Sequence, residues 1–138
     1  MSDIIATDIT TPGSPSFRDA HCPSRQVLDR IGDRWTVLVL LLLSRGAMRY
    51  GELQRELSGI SQKMLTQTLR AIERDGFATR TAYPEIPPRV VYGLTDLGHG
   101  LVEVLAPLNA WALEHIDDVG AARDDYDAGR AAEAPPAT

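Results

Sequence analysis

Apolar and polar positions change their spacing along this chain, and each change marks an element. Val27, Leu28 and Ile31 recur as the edge of a short helix that opens at Pro23 and stops at Gly32. Asp33 then caps a second helix, residues 34–44, that is apolar on nearly every side. Such a helix belongs at the centre of a core, with Trp35 packed there. Residues 45–49 read as a short connection. Tyr50, Leu53 and Leu57 give a third helix, and Ser58, Gly59 and Ile60 a turn. The next helix has legible ends: Ser61 as N-cap, Gly76 and Phe77 as the stop. Inside it Leu69 and Ile72 fall within about 40° of Leu65, while Lys63, Gln67, Arg70 and Arg74 fall between about 140° and 200°.

After Gly76 the period drops to two. Residues 79–83 and 89–94 read as strands, joined by the loop Pro84, Glu85, Ile86, Pro87, Pro88, which cannot continue a ladder. Thr95 caps a last helix on which Leu97, Leu101, Val104, Leu108 and Trp111 recur at threes and fours. That stripe is too long for so small a domain to cover alone, so it reads as an interface. Pro107 predicts a kink or break near Val104.

These elements predict a mainly α fold with a small β-hairpin. Two short helices around a tight glycine-containing turn make a helix-turn-helix, and a hairpin directly after it makes a winged helix. The expected domains are a flexible arm (residues 1–19), the winged helix-turn-helix with its dimerisation helix (20–118), and an acidic, Ala-rich disordered tail (119–138).

Composition alters this picture in one respect. The 138 residues carry a formal net charge of −5, which by itself argues against a nucleic-acid partner. Residues 21–100, however, hold eleven Lys/Arg against eight Asp/Glu, a balance of +3, whereas residues 101–138 carry −6. The local field matters more for binding than the sum. One cysteine allows neither an intramolecular disulfide nor a cysteine-based metal site, and no signal peptide is visible. Residues 37–43 are apolar but far below the ~20 needed to cross a bilayer. A cytoplasmic protein with no membrane partner is expected.

Several short motifs stand in one order: Cys22-Pro23, IGDRWT at 31–36, YGEL at 50–53, GISQKMLT at 59–66, LRAIERDG at 69–76, PPRV at 87–90 and YGLTDLG at 92–98. In that order and spacing the chain resembles the HxlR-type transcriptional regulators, relatives of the MarR group, over about residues 22–115. The resemblance implies a homodimeric winged helix, with N- and C-terminal dimerisation helices, on a near-palindromic duplex operator. Pro107 and the acidic tail depart from that pattern.

The candidate site follows from the helix over residues 61–77. Taken alone, its basic face is more simply an ordinary solvated one. The turn before it and the hairpin after it favour DNA. Gln62, Lys63, Thr66, Gln67 and Arg70 are assigned to base edges, where amides and guanidinium groups pair with adenine and guanine. Ser61 with the helix N-terminus, and Arg74, Arg80 and Arg89, are assigned to phosphates. Leu101, Val104, Leu108 and Trp111 are assigned to the dimer interface. Cys22 precedes a helix start, where the macrodipole favours a thiolate. Some regulators that this chain resembles sense oxidants or electrophiles at such a cysteine, which makes Cys22 a candidate sensor; an inert buried thiol is the alternative. His21, His99 and His115 lie too far apart in sequence for a metal site. No nucleophile, phosphate-loop or dinucleotide motif points to an enzyme, and no cofactor is expected. Two other readings stay open: a winged-helix protein-interaction module, and a regulator sensing a small aromatic ligand in a pocket lined by Trp35, Met48, Tyr50 and Trp111.

Overall fold

A computed structural model of the protein describes residues 23–133. The expected N-terminal arm, Cys22 and residues 134–138 lie outside that range. The chain divides into two compact units, Met1–Val102 and Glu103–Thr138.

The first unit begins with α1 (Pro23–Ile31) and α2 (Arg34–Leu43). Asp33 caps α2 as its position requires: its carboxylate accepts from the Trp35 amide and the Thr36 hydroxyl. Strand β1 (Met48–Arg49) leads into α3 (Tyr50–Glu56), and α4 (Gln62–Arg74) follows the turn. Gly59 takes φ +90° in that turn, a conformation that a side chain disfavours. Strands β2 (Ala78–Tyr83) and β3 (Arg89–Leu94) form the hairpin, and α5 starts at Asp96.

The core of this unit is built around α2 and α4, which pack together. Val39, Leu40 and Leu43 of α2 are buried with Leu65, Leu69 and Ile72 of α4, closed by Leu53, Leu57, Ile60, Phe77 and Tyr92. The apolar stripe of α4 is therefore the buried one. By contrast α2 buries only one face: Leu38 is exposed and Trp35 half-buried, with the Arg34 guanidinium 4.6 Å from the Trp35 ring centroid. The expected central place of α2 in the core holds, whereas its burial is not all-round and Trp35 is packed on one side only. Helices α1 and α4 and strand β3 all pack on α2, and Leu38 is the large apolar side chain of that helix left exposed.

The hairpin belongs to a three-stranded antiparallel sheet of order β1-β3-β2. Met48 pairs with Tyr92 and Arg49 with Val91, so the segment expected as a plain connection contributes an edge strand. Thr95 caps α5, its hydroxyl accepting from the Gly98 amide and donating to the Gly76 carbonyl.

Helix α5 runs Asp96–Glu133 with Pro107 inside it. Neither the expected break at Pro107 nor disorder from residue 119 describes its course, although residues 134–138 are outside the described range. Proline removes one intrahelical bond and strains the turn before it, yet a helix can continue past it. Beyond residue 119 the alanines have high helix propensity. Arg130, in the last turn, also lies 6.0 Å from the Tyr126 ring centroid one turn back and complements the helix C-terminus. Within the second unit Val104, Leu108, Trp111, Leu113 and Ile116 are exposed.

Candidate nucleic-acid interface

Helix α4 offers two ends of different construction. At its start Ser61 accepts from the Met64 amide at 3.1 Å, which satisfies one N–H and leaves the first turn facing solvent. Gln62, Lys63, Met64, Gln67 and Arg70 are exposed there. Lys63, Gln67 and Arg70 have no ion-pair or side-chain hydrogen-bond partner among the described residues. The buried stripe of Leu65, Thr68, Leu69 and Ile72 fixes which way this face points.

Thr66 behaves differently from its neighbours. It is half-buried, and its hydroxyl lies 3.2 Å from the Tyr50 hydroxyl, which also donates to the Gln62 carbonyl at 3.1 Å. Tyr50 thus clamps the first helix of the pair onto the first turn of the second. Its role was not read from the sequence, because the contact spans a turn whose geometry the spacing does not give. Met64 was missed too; it is exposed in the same first turn, where an apolar side chain suits a thymine methyl.

The C-terminal end of α4 is locked. Asp75 caps it, Gly76 at φ +83° sends its amide to the Glu73 carbonyl, and the Phe77 amide reaches the Ile72 carbonyl at 2.9 Å. This pair of bonds is a Schellman motif. Arg30 of α1 grips Asp75 at 2.6 Å. Arg74 stands at this end, about 18 Å along the axis from Gln62. It lines a cleft of 970 Å³ whose apolar side is Val27, Phe77, Leu97 and Leu101. Arg74 stands one turn, about 6 Å, beyond Arg70 and differs from the other α4 candidates in lining this cleft. Leu101 is half-buried at this cleft, and none of Trp35, Met48, Tyr50 and Trp111 lines it.

The wing arginines also part company. Arg80 on β2 is exposed with no partner among the described residues. Arg89 is engaged: its guanidinium meets the Glu85 carboxylate at 2.7 Å and lies 4.0 Å from the Tyr83 ring centroid. Among the described residues no group of three or more His, Cys, Asp or Glu is placed to hold a metal, and no helix is long and apolar enough to cross a membrane.

A three-helix core, a helix-turn-helix and a three-stranded antiparallel wing define a winged helix. Residues 30–119 match the HxlR-like helix-turn-helix family. The uncharacterized HTH-type transcriptional regulator YtfH of Escherichia coli (strain K12) is 46% identical over 105 residues, covering 76% of this chain and 83% of that one. Among solved structures, the putative transcriptional regulator ytfH from Salmonella typhimurium superposes with a TM-score of 0.72 at 42% identity, covering 77% of this chain and 95% of that one. The redox regulator HypR in its oxidized form matches with a TM-score of 0.63 at 34% identity, covering 67% and 96%. The chain belongs to the HxlR family of helix-turn-helix transcriptional regulators.

Proposed function

We propose that this protein is a dimeric, sequence-specific DNA-binding repressor whose affinity is set by the oxidation state of Cys22. One observation carries the DNA reading: Lys63, Gln67 and Arg70 stand exposed and unpartnered, among the described residues, on a helix whose other face is buried. Gln67 suits adenine and Arg70 guanine, each through two parallel hydrogen bonds, while Gln62 and Lys63 reach the flanking edges. Ser61 with the helix start, and Arg80 on the wing, take phosphates. Thr66 acts through Tyr50 as a positioning residue. Arg74 lines the cleft one turn beyond Arg70, and Arg89 pairs with Glu85, so neither is placed among the leading contacts.

Exposed apolar residues support the dimer: Val27, Leu28 and Leu38 in the first unit, Val104, Leu108 and Trp111 in the second. Apolar area of this kind, left open on a single chain, is what a second copy covers. A dimer on a duplex sets its two α4 copies about 34 Å apart. Thiol control draws on the likeness to the redox regulator HypR and on the single cysteine, which can form a disulfide only with another molecule.

Duplexes selected in vitro with the full chain test the DNA reading. Affinity that falls steeply with salt is expected; binding that ignores salt and sequence overturns it. Diamide treatment tests the thiol. The expected outcome is a dimer band on a nonreducing gel together with altered DNA affinity, both lost in Cys22→Ser. No band and unchanged DNA binding would end that part of the proposal.

A further inference from the structure

The hydroxyls at the start of α4 differ in polarity. The Tyr50 hydroxyl carries one proton and donates it to the Gln62 carbonyl at 3.1 Å. The 3.2 Å contact between the Tyr50 and Thr66 hydroxyls therefore needs the Thr66 proton, which makes Thr66 the donor. A threonine inside a helix often turns its hydroxyl to the carbonyl four residues back, here that of Gln62. Tyr50 takes that place and leaves Thr66 with lone pairs alone for anything outside the protein. Ser61 is the reverse: its oxygen accepts from the Met64 amide, and its own proton is uncommitted among the described residues. Thr66 is half-buried, about 100° round the helix from the buried Leu65 and one turn from Gln62, Lys63 and Arg70.

We infer that Tyr50 is a specificity-determining residue: it makes Thr66 an obligate acceptor, which reads an exocyclic amino group, adenine N6 or cytosine N4, in the major groove. The inference rests on the DNA-binding reading above and gives Thr66 a contact beyond its positioning role. In that groove these amino groups are the donors, whereas guanine N7 and O6 and thymine O4 accept. Opposite guanine or thymine, Thr66 would set one acceptor against another and leave both unpaired. A phosphate oxygen meets the same objection, although it suits the uncommitted proton of Ser61. Arg70, one turn further on, carries donors only. The two side chains thus select opposite groups on neighbouring bases.

The test uses the full chain and a duplex recovered by selection with the wild-type protein. At one position of each half-site adenine or cytosine is expected, with guanine or thymine bound about 5- to 20-fold more weakly. Removing only the amino group, with purine for adenine or pyrimidin-2-one for cytosine, should weaken the wild type about 3- to 10-fold, the contribution of one neutral hydrogen bond. Which replacement acts tells adenine from cytosine. Thr66→Val, of nearly equal shape, should bind the duplexes with and without that amino group alike. Arg70→Ala serves as the control, weaker on both and still sensitive to the missing group. Tyr50→Phe frees the Thr66 proton, so rejection of guanine and thymine should shrink to about 2-fold or less. If Tyr50 were only structural, Tyr50→Phe would lower affinity for all four bases by one factor, and that outcome overturns the inference. So does an amino-group effect of equal size in the wild type and Thr66→Val, or none in the wild type. A wild-type chain that binds no duplex in a salt-dependent way overturns both the inference and the DNA reading.

Discussion

The two ends of α4 differ in how much of their chemistry is already spent. At the C-terminal end the cap is closed by partners: Asp75 with Arg30, Gly76 and Phe77 amides with helix carbonyls, and the Phe77 carbonyl with the Thr95 amide at 3.1 Å. At the N-terminal end the cap and Tyr50 hold the backbone, while from there along the exposed face Lys63, Gln67 and Arg70 are left without partners among the described residues. A helix anchored at the rear can present a face of unpaired donors at the front with little loss of order. Stability and recognition are thereby assigned to different residues, and mutations should separate them.

The largest effect is expected at the anchored end. A Cβ on Gly98 would lie 2.1 Å from the Phe77 carbonyl oxygen, a backbone atom that also accepts from Thr95. Gly98→Ala should cost about 3 kcal/mol of stability, the upper range for overpacking, read as a lowered denaturant midpoint at unchanged m-value. A wild-type midpoint would mean that the joint between α4 and α5 is looser than its geometry.

At the other end the sign of the separation reverses. Arg70→Ala should weaken binding of a selected duplex by roughly 1–3 kcal/mol and leave the melting curve within about 0.5 kcal/mol of wild type. Full affinity at fixed salt would remove Arg70 from the site. Asp75→Ala makes the opposite case: it breaks the pair with Arg30, part-buried on both sides, and should cost about 1 kcal/mol of stability. Its duplex affinity should be that of the wild type. An equal loss in both assays would mean that the two ends are coupled through the helix.

The smallest effect is expected in the middle. Thr68 is 3% exposed and its hydroxyl has no partner among the described residues. A buried unsatisfied hydroxyl costs free energy, so Thr68→Val, of nearly equal shape, should gain up to about 1 kcal/mol. A destabilised variant would reveal a hydrogen bond from that hydroxyl back into its own helix.

What could be read in advance was local. Ser61, Asp33 and Thr95 were expected as caps, and each makes its capping bond within three residues of itself. Gly76 was expected as a stop, and the Schellman bonds close around it. Groups that meet across long separations were not legible. Strand β1 pairs Met48 with Tyr92, and Arg30 finds Asp75 45 positions away. Arg89 was assigned to a phosphate because its type suits one. Its pairing with Glu85 depends on how the proline loop folds back, which spacing alone does not determine.

The amino-acid order by itself determined the helix-turn-helix, the wing and the orientation of α4, since periodicity and capping act over one or two turns of chain. It also carried the HxlR likeness, through short motifs in a set order. Only the tertiary structure decided which charges remain free. Whether Arg70, Arg74, Arg80 or Arg89 has a partner depends on which groups the folded backbone brings within about 4 Å, the range at which ion pairs form. The folded chain engages Arg89, carries Arg74 to the far end of α4, and leaves Lys63, Gln67 and Arg70 exposed.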